Sequence, residues 1–149
     1  MSANKSLNKS SAKPSDNSGA MPAPLVVFDL DGTLIDTAPD LVATLNVVFE
    51  REGLPAVAYE TARKLIGGGA KAMIARGIEA EGRAITPQRL EELFADFIAY
   101  YSDHIADRSR PFPGLIDALD TLDGRGYRFA VCTNKLERLS VLLLTKLGI

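Results

Sequence analysis

The chain has 149 residues, 46% of them apolar, and a formal net charge of −2. That composition supports one packed domain, or one domain with an insertion, and is too poor in positive charge for a surface that binds nucleic acid or an anionic membrane. A single cysteine, Cys132, excludes an internal disulfide and fits a reducing compartment, so a cytoplasmic location is expected; no apolar run reaches the length that spans a bilayer.

Residues 1–23 are rich in Ser, Asn, Lys, Ala and Pro and nearly free of large apolar side chains. Such a segment cannot bury enough surface to offset its ordering entropy, and it is expected to be a disordered tail. Order is expected from about Leu25, where LVVF is short, apolar and β-branched, the pattern of a strand buried on both faces of a parallel sheet. Pro39 then opens a helical pattern with Leu41, Leu45, Val48 and Phe49 on one face, stopped by Gly53 and Pro55. A shorter helix is predicted over Tyr59–Ile66, a flexible break at Gly67–Gly69, and a further helix over Ala70–Ile78.

Thr86 and Pro87 carry the cap and first-position signals of the next helix, whose apolar face is Leu90, Phe94, Phe97, Ile98, Tyr101 and Ile105. RPFPG at Arg110–Gly114 reads as a turn. Leu115, Ile116, Leu119 and Leu122 form the next helical stripe, and Tyr127–Cys132 reads as a second buried strand. A last helix carries Leu136, Leu139, Leu143 and Leu147, and Gly148 followed by Ile149 has the form of a helix stop. The order is therefore strand, long helical insert, helix, strand, helix, an α/β arrangement. Both strands end in polar residues: Asp29, Asp31 and Gly32 after the first, Thr133, Asn134 and Lys135 after the second. Ligands of open α/β sheets bind at such carboxyl ends, and parallel neighbours would bring the two clusters together.

Asp29 and Asp31 admit three readings. A calcium loop counted from Asp29 would need Gly sixth and Glu twelfth, where the chain has Leu34 and Asp40, so it fails. As structural residues, the two would accept backbone hydrogen bonds in a turn before a helix. As catalytic residues, one would be a nucleophile and the other an acid and base. Two carboxylates spaced by two project to the same side of an extended chain. A divalent cation would lower the cost of holding them together, and Gly32 would let the backbone turn its N–H groups toward an anion.

The string VVFDLDGTL, with CTNK about a hundred residues on, resembles the haloacid dehalogenase superfamily of aspartate-nucleophile phosphatases. Within it, FDLDGTLIDTAPDL, IGGGA, RPFPG and VCTNK together are similar to the bacterial phosphoglycolate phosphatases, from about Leu25 to Ile149. The resemblance implies a Rossmann-like parallel-sheet core, residues 24–37 and 108–149, with an inserted helical cap over residues 38–107. It implies that Asp29 attacks phosphorus to form an aspartyl-phosphate, and that Asp31 protonates the leaving alkoxide and then activates water. Mg²⁺ would bind the Asp29 carboxylate and the Asp31 main-chain carbonyl. Thr133 would hold the phosphate, with Asn134 and Gly32 completing its cradle. The implied substrate is a small phosphorylated organic acid, 2-phosphoglycolate, converted to glycolate and phosphate. Alternatives within the superfamily are another phosphatase or a sugar phosphomutase.

The same resemblance implies a further lysine and an acidic metal-binding pair on elements later than Ile149. The core is therefore expected to be incomplete, as in a truncated chain. Alone, the 149-residue chain is expected to be catalytically inactive or a partner-binding remnant, and to self-associate through an exposed sheet edge. Lys71 and Arg76 are read as solvated helix charges, His104 as without chemistry, and Cys132 as a packing residue.

Overall fold

The computed structural model describes residues 23–149. The tail expected over residues 1–23 lies outside the described residues, apart from its last position. Strand β1, Leu25–Phe28, pairs in parallel with β4, Arg128–Val131, in the register Leu25 opposite Arg128 through Phe28 opposite Val131. Backbone bonds continue past both ends of the ladder, from Arg128 N to Pro24 O and from Cys132 N to Phe28 O, each 2.8 Å. This register sets Asp29 and Thr133 at the same carboxyl end of the sheet.

The two strands are not buried on both faces, as their sequences predict. Leu25 and Val27 are 56% and 55% exposed, and Phe129 and Val131 also lie open. The partly buried Val26, Phe28 and Ala130 alternate with them. In this parallel register Leu25, Val27 and Ala130 share one face and Val26, Phe28, Phe129 and Val131 the other, so each face is covered only in part and strands that are apolar throughout are left half-open. Helix α5, Leu115–Asp123, shares this outcome: none of its residues is buried, and Ile116 is 45% exposed.

The interior lies instead among α1 (Ala38–Arg51), α2 (Tyr59–Arg63), α3 (Ala70–Ala80) and α4 (Pro87–His104). Leu45, Val48 and Phe49 of α1 meet Met73 and Ile74 of α3 and Leu93, Phe97 and Tyr101 of α4 in one cluster, all at most 2% exposed. The apolar spacing of α1 and α4 is that of the predicted stripes. Thr86 caps α4 as expected, its hydroxyl accepting from Arg89 N at 3.2 Å. Helix α2 is shorter than expected, since residues 64–67 form turns. Gly77 lets α3 approach α1: a Cβ there would lie 2.7 Å from Phe49 Cζ.

The chain enters and leaves this helical group through two adjacent segments. β2, Ile35–Asp36, pairs antiparallel with β3, Arg110–Pro111. The predicted turn over Arg110–Gly114 thus contributes its first two residues to a strand. Asp40, 3% exposed at the start of α1, pins the return. Its carboxylate accepts from Arg108 N at 3.0 and 3.1 Å, from Ser109 N at 2.8 Å and from Ser109 Oγ at 2.6 Å. Helix α6, Glu137–Leu147, buries Leu139 and Leu143. It ends as the sequence predicts: Gly148 takes φ 73° and Ile149 N donates to Leu144 O at 3.0 Å.

Candidate active site

The loop after β1 is built around Leu30, which is fully buried. Its carbonyl accepts from the backbone N–H groups of Thr33, Leu34 and Ile35 at 3.3, 3.1 and 3.1 Å. Gly32 supplies the reversal with φ 77°, a region that side chains resist. With Leu30 driven into the core, its neighbours Asp29 and Asp31 both line the cavity at the end of β1. Asp29 is exposed there, and its Oδ1 accepts from Leu30 N at 2.7 Å. Asp31 is held more tightly: Oδ1 accepts from Thr37 Oγ1 at 2.8 Å and from Lys135 Nζ at 2.9 Å, and Oδ2 accepts from the same ammonium at 3.2 Å.

The loop after β4 supplies the opposite wall with Thr133, Asn134 and Lys135. Thr133 Oγ1 accepts from Lys135 N at 3.2 Å, which turns the chain just before α6. Asn134 Nδ2 donates to Gly67 O at 2.8 Å, across to the glycine-rich segment between α2 and α3. Lys135 reaches inward: its side chain is 4% exposed, and Nζ also donates to Tyr101 OH at 3.0 Å and sits 4.6 Å from the Tyr101 ring centroid. Burial pushes the Lys135 ammonium below the ordinary lysine range, while the Asp31 carboxylate, by charge and hydrogen bond, and the charge of Asp29 hold it up. Burial likewise raises the Tyr101 phenol, with Asp31 and Asp40 acting in the same direction.

The cavity measures about 340 Å³ and lies between the two loops and the helical group. Gly67–Gly69, Phe94 and Phe97 form its far wall. Asp29, Asp31, Thr133 and Asn134 are thus brought together. Gly32 is not: it lies outside the cavity lining, and its N–H donates to Ile35 O at 2.8 Å. The carboxylate of Asp29 and the main-chain carbonyl of Asp31 are hard oxygen donors, the kind Mg²⁺ takes. They fit the ion in kind, and among the described residues no group of three or more His, Cys, Asp or Glu completes a set.

Lys135 is the site residue that sequence reasoning missed. The sequence places Lys135 in the polar cluster after the second strand, at the start of a helix, and nothing in it says that the side chain turns into the site. Its only signal is its place two residues after Thr133, at the end of a strand that parallels β1. Lys71 also lines the cavity, but its ammonium is 2.5 Å from Glu91 Oε1 and lies over the Phe94 ring. Arg76 is exposed and lies outside the lining, in keeping with a solvated charge. His104 stacks on Tyr100 and pairs with Asp107 away from the cavity. Cys132 is exposed rather than packed, since it sits past the end of β4. No helix among the described residues is long and apolar enough to cross a membrane.

Known proteins are similar to this chain in sequence and fold. The phosphoglycolate phosphatase of Caulobacter vibrioides is 44% identical over 119 residues, which is 80% of this chain and 50% of that protein. The N-acetylmuramic acid 6-phosphate phosphatase of Pseudomonas aeruginosa is 37% identical over 123 residues, 83% of this chain and 53% of that protein. The chain spans about half the length of such curated relatives. Among solved structures, a predicted phosphoglycolate phosphatase from Haemophilus somnus 129PT superposes with a TM-score of 0.75 at 28% identity, covering 87% of this chain and 60% of that one. The α/β core with helices between its strands is therefore the fold of these hydrolases. The sequence profile of the haloacid dehalogenase-like hydrolases matches residues 26–149, and the chain belongs to that family.

Proposed function

We propose that the sequence encodes the nucleophile-bearing part of a Mg²⁺-dependent phosphomonoesterase, with 2-phosphoglycolate as substrate. The observation that carries the reading is the pairing of Asp29 and Asp31 at the end of β1, facing Thr133 and a buried ammonium across one cavity. The names of the relatives support the phosphatase class and, for several of them, this substrate.

In this reading Asp29, the more exposed carboxylate, attacks phosphorus in line with the ester oxygen. The phosphoryl group passes to the aspartate and the ester bond breaks. Asp31 gives its proton to the leaving alkoxide, then takes one from the water that cleaves the aspartyl-phosphate. Two easier displacements replace one difficult hydrolysis. Thr133 offers its hydroxyl to a phosphoryl oxygen, and Lys135 supplies positive charge beside the two carboxylates. Helices α1–α4, residues 38–107 with their short links, act as the cap that closes over the core and excludes water. Mg²⁺, held by the Asp29 carboxylate and the Asp31 main-chain carbonyl, would neutralise charge on the transferring phosphoryl group. Positioning and charge neutralisation are what phosphoryl transfer chiefly requires.

The test uses this chain joined to the second half of the Caulobacter vibrioides relative and a panel of phosphomonoesters with Mg²⁺. Turnover is expected to be highest on 2-phosphoglycolate and to vanish in Asp29→Asn, whose amide cannot form the aspartyl-phosphate. Asp31→Asn is expected to lose about 10²–10⁴-fold, the usual contribution of a positioned proton donor. Highest kcat/KM on a hexose phosphate would remove the substrate assignment, and full activity in Asp29→Asn would remove the mechanism.

A further inference from the structure

Lys135 does more than add charge. Its ammonium has three protons to donate. In the structure these serve both oxygens of Asp31 and the hydroxyl of Tyr101. Asp31 belongs to the loop after β1, Lys135 to the loop after β4, and Tyr101 to the C-terminal part of α4. One side chain therefore joins three elements, two of the core and one of the helical group. The adjacent residue repeats the crossing, since Asn134 Nδ2 holds Gly67 O at 2.8 Å.

We propose that Lys135 is a positioning residue that fixes the Asp31 carboxylate to helix α4 through the Tyr101 phenol. The side chains leave little freedom to do otherwise. Lys135 is 4% and Asp31 16% exposed, and Tyr101 is 1% exposed in the centre of the apolar cluster. Thr37 Oγ1 donates to Asp31 Oδ1 as well, so the carboxylate is held both by the start of α1 and by Lys135. A shift of α4 relative to the sheet then pulls on the ammonium, and the ammonium on Asp31. Cap position and carboxylate orientation become one variable. The inference rests on the reading of Asp31 as acid and base, but the contacts it invokes exist without catalysis and are testable without it.

The experiment is NMR of the 149-residue chain with ¹⁵N-labelled lysine side chains and no added ligand. The expected wild-type spectrum holds a slowly exchanging ammonium with a through-hydrogen-bond coupling from Lys135 Nζ to Asp31 Cγ. Tyr101→Phe keeps the ring and removes one acceptor. It is expected to speed exchange of that ammonium about tenfold, the low end for a hydrogen bond to a charged group, and to shift the Asp31 carboxylate and Thr37 signals. Asp31→Asn is expected to abolish the coupling. Thermal melting gives a second measure: Lys135→Met and Tyr101→Phe each lower Tm, and the double variant melts no lower than Lys135→Met alone. A wild type without the coupling, a Tyr101→Phe variant with unchanged exchange and Asp31 signals, or additive melting shifts would each overturn the proposal. Asp29 plays no part in these readouts, so a failure of the nucleophile assignment leaves them unchanged.

Discussion

Asp40→Asn removes one charge from a buried junction and changes almost no volume. The wild-type carboxylate accepts from the Arg108 and Ser109 N–H groups and from the Ser109 hydroxyl. Ser109 is itself fully buried, so water cannot take over these roles. An asparagine oxygen in the place of Oδ2 can keep the two Ser109 donors and the 3.1 Å bond from Arg108 N, while the 3.0 Å bond to Oδ1 is lost. Its NH₂ group then faces Arg108 N, donor against donor. That opposition and the lost bond cost about 1–3 kcal/mol, and the surviving bonds weaken as the acceptor loses its charge. Relief from desolvating a carboxylate offsets part of this. The expected net loss is about 2 kcal/mol. With a urea m-value of roughly 1–3 kcal/mol/M for a small domain, the midpoint should fall by about 1 M. Urea unfolding followed by circular dichroism measures it. A midpoint within about 0.3 M of wild type, with an unchanged slope, would show that the junction between α1 and the returning chain is not held by this carboxylate.

Gly77→Ala gains about 1 kcal/mol of helix propensity but drives a Cβ to 2.7 Å from Phe49 Cζ, whose ring is fully buried. Overpacking of about 1–3 kcal/mol wins, and a lower Tm is expected. Thr86→Ala deletes the acceptor for Arg89 N and should cost about 1 kcal/mol in the same assay. Glu91→Gln removes the exposed partner of Lys71, and denaturant unfolding should move by less than about 1 kcal/mol. The open apolar side chains, Leu25 and Val27 on one face of the sheet and Phe129 and Val131 on the other, predict that the 149-residue chain sediments as more than a monomer. Val27→Lys should shift that distribution toward monomer.

Much of this architecture is readable in the sequence because local rules and packing agree. Leu41, Leu45, Val48 and Phe49 repeat at helical spacing and are buried together in α1. Thr86 and Pro87 signal the start of α4, and Gly148 the end of α6. The polar residues after two apolar strands meet because the strands are parallel neighbours. Composition could not show how much of each strand is covered. Leu25, Val27, Phe129 and Val131 are apolar enough for a buried sheet, and burial depends on which helices pack against it. Nor could spacing show Lys135. Its direction is decided by the turn at Thr133 and by an anion and a phenol that lie 104 and 34 residues away. Gly32 is the converse case. Its freedom to turn is evident, but the structure uses its N–H within the loop rather than for a ligand.

The most direct test of the central claim is to identify the residue that carries the phosphoryl group. The chain completed with the second half of its Caulobacter vibrioides relative is mixed with 2-phosphoglycolate and Mg²⁺. It is quenched in acid within one turnover and digested for peptide mass mapping. A hydroxylamine-labile phosphoryl group is expected on Asp29 and absent from Asp29→Asn. Turnover with the label on any other residue, or with no covalent phosphoryl group on the protein, would contradict it.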